Sequence, residues 1–142
     1  MRVLVSLHLL LVGVWLGCVL TEALFERALL GQGPQAQRLL ARLHWRVDLW
    51  VEVPAFAAVV ATGLALLPGQ AWDGWLVFKL GCASLAVVAN TWCVGLVARR
   101  QTHALAGDWT AFAAVDHRQH QVGALVLLGL LGAAVAGWVR WV

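Results

Sequence analysis

Three ionisable side chains recur at every fourth position where an apolar segment begins: His44, Asp48 and Glu52. On a helix, residues four apart lie on the same face, so these three form one polar stripe. After Pro54 the sequence continues as AFAAVVATGLALL, which is typical of a helix inside a membrane. Ionisable groups at that depth are unfavourable without partners, so the stripe indicates a functional site.

Candidate partners for this stripe lie in other apolar segments. Glu22 and Glu26 end the first segment, and Asp116 and His120 precede the fourth, each pair being four residues apart. We expect seven side chains to meet at one end of a helical bundle as metal ligands: Glu22, Glu26, His44, Asp48, Glu52, Asp116 and His120. Three more polar residues are predicted to be supplementary ligands or to support the ligands: Asn90, His103 and His117.

Carboxylate and imidazole ligands inside a four-helix bundle suit iron, manganese or zinc, and copper is a further candidate. Soluble di-iron bundles use Glu from two helices and Glu-x-x-His from two others. This sequence has a spacing of four in place of three, so the analogy concerns chemistry alone. We predict a non-haem centre of one or two metal ions. One interpretation is a redox enzyme acting on a small membrane-soluble substrate; another is a metal-ion or proton transport component working as an oligomer.

The competing interpretation is that these residues are surface ion pairs. Glu26 would then pair with Arg27 or Arg46, Asp116 would pair with Arg118, and the histidines would lie at the wet interface. Glu22, Asp48 and Glu52 lie further into the membrane than the flanking arginines. Unpaired carboxylates are unfavourable at that depth, which argues against surface ion pairs.

The elements that must position these residues are four apolar segments. Of the 142 residues, 62% are apolar and 12% are charged, which is about half the charged fraction of a soluble domain. Stretches of about 20 apolar residues are long enough to cross a membrane. They are predicted at 3–24, 47–67, 75–98 and 121–139. The sequence therefore predicts one all-α transmembrane domain over residues 1–142, an integral membrane four-helix bundle with up-down topology.

Two positions predict irregularities in the helices. Gly31 is expected to end the first helix, so that the second begins before the membrane. Pro54 removes one backbone hydrogen bond, which predicts a kink beside Glu52.

Basic residues are unevenly distributed over the two ends of the predicted bundle. Four spans place both termini on one side, together with three basic residues: Arg2, Lys79 and Arg140. The other side carries seven arginines: Arg27, Arg38, Arg42, Arg46, Arg99, Arg100 and Arg118. Because basic residues concentrate on the cytoplasmic side, we expect termini in the periplasm of a bacterial inner membrane and a metal site facing the cytoplasm. These residues flank lipid-embedded segments, so no nucleic-acid partner is predicted.

Small residues form a stripe along the fourth predicted span. Gly129, Ala133 and Gly137 are four residues apart and share one helix face. Such a stripe allows close helix packing, either within the chain or at the seam of a homo-oligomer.

Two short tryptophan-containing motifs lie in the first and third spans. They are His8-(x6)-Trp15 and Trp75-Leu-x-x-Lys79-Leu80, the latter followed by Trp92. In these motifs, in length and in span number, the chain resembles HemJ-like and CopD-like small membrane proteins. The resemblance implies a b-type haem oxidoreductase acting on protoporphyrinogen IX, with His8 and Lys79 matching family residues, or a role in copper handling. Asn90 stands where the resemblance leads us to expect a histidine.

Overall fold

The computed structural model describes residues 2–139 and is all-helical over that range. Four helices are long and apolar enough to cross a membrane: α1, Arg2–Leu29; α2, Pro34–Ala65; α3, Gly74–Ala106; and α4, Trp109–Val139. The prediction of an all-α chain with four helices of membrane-crossing length and composition is confirmed. Arg140, which entered the count of basic residues, lies outside the described residues.

The helices extend beyond the predicted spans. α3 continues to Ala106 and α4 begins at Trp109, so most of the predicted connection after residue 98 is helical. Gly107 ends α3 with a left-handed φ of 73°, and the Asp108 carboxylate accepts a hydrogen bond from the Ala111 N–H (3.0 Å). The first break agrees with the prediction, because α1 ends at Leu29, two residues before Gly31. Charged residues limit an apolar span, but they do not end a helix.

α2 contains a π-helical turn where it passes the polar stripe. Residues Pro34–Val47 and Val53–Ala65 are α-helical, and Asp48–Glu52 form the π turn between them. The Val53 N–H donates to the Asp48 carbonyl oxygen, five residues earlier. Pro54 follows and has no N–H to donate, so the irregularity lies where the sequence predicts a distortion. Single π turns of this kind are frequent at functional sites.

The outer surface of the bundle is apolar. Large side chains such as Leu10, Leu24, Val88 and Leu128 are each more than 60% exposed. Monomeric soluble proteins rarely expose contiguous apolar surface of this extent, whereas a lipid-facing surface requires it. The exposed side chains therefore agree with the membrane-crossing composition of the helices.

All four helices contribute to one hydrophobic core. Its buried members are Trp15, Ala55, Ala86, Ala89, Leu96, Val122, Val126 and Leu130. The ring centroids of Trp15 and Phe56 lie 5.5 Å apart, which joins α1 to α2. This core lies beside the polar residues and holds the helices that carry them.

The small residues of α4 face α3 of the same chain. A Cβ added to Gly129 would lie 2.7 Å from the Cys82 carbonyl oxygen, and one added to Gly137 would lie 3.4 Å from the Lys79 Nζ. The absence of a side chain at Gly129 therefore permits α3 and α4 to approach closely. A homo-oligomer formed through Gly129, Ala133 and Gly137 stays a prediction.

Candidate metal centre

Buried polar side chains from all four helices meet at one end of the bundle. Among residues 2–139 the buried polar or charged residues are Glu22, Glu26, His44, Asp48, Glu52, Asn90, Arg100, Asp116 and Gln119. Six of the seven predicted ligands are in this set. The seventh, His120, lies at its edge with a side chain that is 44% exposed. The structure thus brings the seven residues to one region.

His44 divides the cluster into two parts. Its Nε2 lies 3.2 Å from Glu22 Oε2 and 3.6 Å from Asp48 Oδ1. Its Nδ1 lies 2.7 Å from Arg100 Nη2 and 3.3 Å from Glu26 Oε1. We call Glu22, His44, Asp48 and Glu52 the acidic group. We call Arg100, Glu26, Asp116, Gln119 and His120 the Arg100 group.

The Arg100 group balances its own carboxylates. The Arg100 side chain is fully buried, and its Nη1 donates to Glu26 Oε1 (2.8 Å) and Asp116 Oδ1 (2.6 Å). Glu26 also contacts the Gln119 Nε2 (2.9 Å) and the His120 Nε2 (2.5 Å). Glu26 and Asp116 therefore have a buried cation between them. This satisfies the condition under which carboxylates are tolerated away from water.

The ion pairs in the structure differ from the surface ion pairs that the competing interpretation predicts. Arg27, Arg46 and Arg118 are exposed, whereas both carboxylates of the Arg100 group contact Arg100. Residues one or two apart on a helix point in different directions, so Arg27 and Arg118 cannot readily meet Glu26 and Asp116. Ion pairing does occur, but it is buried and joins α1, α3 and α4.

Arg100 and Gln119 are site residues that the sequence reasoning missed. A signal for Arg100 was present, since the buried positions of α3 recur at intervals of three and four and reach it: Ala86, Asn90, Cys93, Val97, Arg100 and Ala104. All six are buried or partly buried. Gln119 is likewise three residues after Asp116, on the same face of α4.

The acidic group lacks such a cation. One ligand atom from each of Glu22, His44 and Asp48 lies within 4.8 Å of the others, and all three residues are buried. The Glu22 carboxyl also interacts with the Asp48 and Glu52 side chains. Within residues 2–139, His44 is the one basic side chain within 4.0 Å of the Glu22 or Asp48 carboxylate oxygens. Neighbouring carboxylates repel each other when ionised, so protons or a bound cation must neutralise them.

The spacing of these atoms suits a transition-metal ion. Metal–ligand bonds of about 2.0–2.2 Å place adjacent ligand atoms about 3.0–3.5 Å apart in tetrahedral or octahedral geometry. The His44 Nε2 lies 3.2 Å from one carboxylate and 3.6 Å from the other. The buried Glu–His–Asp group could therefore hold a metal ion with small side-chain movements.

A cavity of about 230 Å³ adjoins both groups. Its polar wall includes Glu22, Asn90 and Gln119, and its apolar wall includes Leu20 and Leu127. The Trp15 Nε1 donates to the Asn90 Oδ1 (3.4 Å). Glu22 Oε1, Asn90 Nδ2 and Gln119 Oε1 are buried and have no hydrogen-bond partner among residues 2–139. Three of the residues that line the cavity therefore have unmet hydrogen-bonding capacity.

His103 and His117, which were predicted to be supplementary ligands, lie away from the cluster. His117 is exposed and contacts the side-chain amide of Gln121 (3.3 Å), and His103 lies 4.0 Å from the exposed Asp108 carboxylate. His117 follows Asp116 directly, and adjacent helical residues do not share a face. The structure therefore brings Asn90, but neither His117 nor His103, to the cluster.

His8 and Lys79, the residues matched in the family resemblance, lie elsewhere. The His8 Nδ1 is 2.8 Å from the Thr62 hydroxyl, 14 helical residues before Glu22. Lys79 lies beside Gly137 of α4. The haem alternative stays a prediction.

Comparison of the chain with protein-family models, curated proteins and solved structures gave no match. The resemblance to HemJ-like and CopD-like proteins also stays a prediction.

Proposed function

We propose that this chain is an integral membrane protein that binds a divalent transition-metal ion through Glu22, His44 and Asp48, with Glu52 as a fourth ligand. The observation that supports this is the set of three buried ligand atoms within 4.8 Å of one another. Two or more carboxylates with one imidazole suit manganese, iron or zinc better than they suit copper.

The charge of Arg100 favours one ion over two. Glu26 and Asp116, which a second ion would need, already contact the Arg100 guanidinium. A second cation close to that guanidinium would be repelled. The proposed centre is therefore mononuclear, and the Arg100 group forms its surroundings.

Glu26 has a positioning role in this proposal. Neutral imidazole has one donor and one acceptor nitrogen, and guanidinium only donates. While Arg100 contacts Nδ1, the hydrogen of His44 is on Nε2. A metal ion at Nε2 requires that hydrogen on Nδ1, where Glu26 Oε1 lies 3.3 Å away and can accept it. Carboxylate–histidine–metal arrangements of this kind fix the orientation of the ring.

We also propose an up-down bundle with both termini in the periplasm and the metal centre at the cytoplasmic end of a bacterial inner membrane. The arginine excess on the side of the cluster supports this orientation. Contacts between the end of α1 and the first half of α2, and between Arg100 of α3 and Asp116 of α4, agree with alternating helix directions.

The activity that we propose is redox chemistry on a small membrane-soluble substrate. The cavity beside the acidic group has an apolar wall, so a lipid-soluble molecule can approach the metal ligands. A bound iron or manganese ion would supply the electron-transfer chemistry. The protein residues bind the ion, orient His44 and shield the site from water.

Metal analysis of the purified protein tests the proposal. We expect about one transition-metal ion per chain, with loss of thermal stability after chelation. Glu22→Gln and Asp48→Asn keep the side-chain shapes and should each abolish retention of the ion. Glu26→Gln should weaken binding by about 10–100-fold, as loss of a residue that orients a ligand does.

Asp108→Asn is the matched control, because Asp108 is exposed and lies outside the cluster. Asparagine keeps the capping of α4, so metal content should be unchanged. A wild-type protein without stoichiometric metal contradicts the proposal. Equal metal content in wild type and in Asp48→Asn contradicts it as well.

A further inference from the structure

Three side chains that line the cavity beside the acidic group each carry a polar atom without a hydrogen-bond partner within residues 2–139. These side chains are more than nine-tenths buried, since Asn90 is 1%, Gln119 is 3% and Glu22 is 6% exposed. In the part of the chain that the structure describes, Asn90 Nδ2 is a donor without an acceptor, and Gln119 Oε1 and Glu22 Oε1 are acceptors without a donor. Buried polar groups in folded proteins are nearly always hydrogen bonded. The unmet requirement is therefore for one acceptor and two donors.

Exposed residues of α1 and α4 line part of the cavity, so we place its opening between these helices. These residues include Leu20, Ala23 and Ala124. A Cβ added to Gly123, in the cavity wall, would meet nothing within 4 Å. Because this face is apolar and lies along two membrane-crossing helices, molecules that reach the opening come from the lipid.

We infer that the cavity binds an uncharged membrane-soluble hydroquinone, with its hydroxyl groups beside Asn90, Gln119 and Glu22 and its apolar tail between α1 and α4. A hydroxyl group both donates and accepts. Two hydroxyls supply the donors for Gln119 Oε1 and Glu22 Oε1, and either oxygen accepts from Asn90 Nδ2.

The size and composition of the cavity agree with this ligand. A volume of about 230 Å³ is several times the roughly 30 Å³ that one water occupies in the liquid. Apolar cavities do not favour water, and Val19, Leu20, Val94 and Leu127 form much of this wall. A ring with an apolar substituent satisfies both the polar atoms and these side chains.

The ligand also has a defined relation to the proposed metal centre. Glu22 Oε2 lies 3.2 Å from His44 Nε2, and the Glu22 side chain also lines the cavity. The binding that we infer does not depend on the proposed metal centre, because its three polar contacts include no metal ion.

Direct binding measurements test the inference. The probe is 1,4-hydroquinone with a decyl substituent, titrated anaerobically into the full chain in detergent, with and without metal, and followed by tryptophan fluorescence. We expect one molecule per chain. The dimethyl ether of the same probe, which cannot donate hydrogen bonds, should bind at least tenfold more weakly.

Substitutions locate the binding site. Asn90→Leu should weaken hydroquinone binding at least tenfold, because it removes the donor and its hydrogen bond. Gly123→Leu should obstruct the cavity while leaving all three polar residues in place. Gly81→Leu is the matched control, since Gly81 is exposed on α3, outside the cavity, with nothing within 4 Å of an added Cβ. It should bind the probe as wild type does.

Equal binding of the hydroquinone and its dimethyl ether would show partition into apolar surface and would overturn the inference. Unchanged hydroquinone binding by the Gly123→Leu variant would also overturn the inference. If Asn90→Leu does not fold, the Gly123→Leu variant alone tests where the hydroquinone binds. A protein that binds metal without the hydroquinone overturns this inference alone. A protein that binds the hydroquinone without any metal overturns the proposed function and supports this site.

Discussion

Replacement of Arg100 by leucine tests whether one buried guanidinium neutralises the carboxylates at the centre of the bundle. Arg100 is fully buried and contacts Glu26 at 2.8 Å and Asp116 at 2.6 Å. Leucine fills much of the same space without adding a polar group. The substitution therefore leaves two carboxylates in an apolar environment without the cation that both of them contact.

The expected loss of stability follows from what remains after the substitution. Removing one partner of a buried ion pair destabilises a protein by about 3–5 kcal/mol, because the other charge stays buried. The remaining carboxylates are only 10% and 11% exposed in their side chains. His120 still contacts Glu26 (2.5 Å) and offsets part of its charge. We therefore expect a loss of about 3–5 kcal/mol, with Asp116 as the main source.

The measurement is the free energy of unfolding in mixed micelles, followed by tryptophan fluorescence. Arg99→Leu is the matched control, because Arg99 is the preceding residue and is exposed. Its effect should lie within about 0.5 kcal/mol of zero. Adding Glu26→Gln and Asp116→Asn to Arg100→Leu removes the uncompensated charges and should restore part of the lost stability, because residues in one network are not additive.

Equal effects of Arg99→Leu and Arg100→Leu would refute the reasoning. A triple variant no more stable than Arg100→Leu alone would also refute it, since unpaired carboxylates would then not be the cause of the loss.

Two further predictions concern the backbones of α4 and α2. Gly129→Ala should lower the free energy of unfolding by about 1–3 kcal/mol, because its Cβ would lie 2.7 Å from the Cys82 carbonyl oxygen. Gly123→Ala has open space at that atom and should instead be neutral or stabilising in the same assay, so equal losses would contradict the packing argument. Pro54→Ala restores a backbone donor after the π turn and should displace Asp48 from its position opposite Glu22. We expect metal affinity to fall about tenfold or more, as it does when support of a ligand is lost, and an unchanged affinity in a metal titration would contradict this.

The length of the apolar segments was sufficient to predict the four helices, and helical periodicity predicted much of the polar cluster. Glu22 and Glu26 share a face of α1, as His44, Asp48 and Glu52 share a face of α2, and all five are buried. These relations depend on spacing within one helix, which the sequence contains. The bounds of the helices were less predictable, because α3 and α4 continue through charged residues beyond the apolar spans.

The role of Arg100 depends on tertiary contacts that the spacing does not contain. In the sequence, Arg99 and Arg100 together resemble the basic end of a membrane span. In the structure, one is exposed and the other is buried, because only Arg100 continues the inward face of α3. Its carboxylate partners come from α1 and α4, 74 and 16 residues away in the chain. Assigning both Arg99 and Arg100 to the membrane surface from the sequence alone is therefore wrong for Arg100.

The balance of charge across the cluster is the strongest physical argument for a bound cation. Five buried carboxyl groups, those of Glu22, Glu26, Asp48, Glu52 and Asp116, face one guanidinium and the imidazoles of His44 and His120. With every carboxyl ionised, His120 protonated and His44 neutral, as a metal ligand must be, three negative charges remain uncompensated. Arg100 is engaged by Glu26 and Asp116, so the excess lies in the acidic group. One divalent ion among Glu22, His44 and Asp48 would offset two of these three charges where the ligand atoms already converge, whereas neutralisation by protons alone would require carboxyl groups there to stay un-ionised.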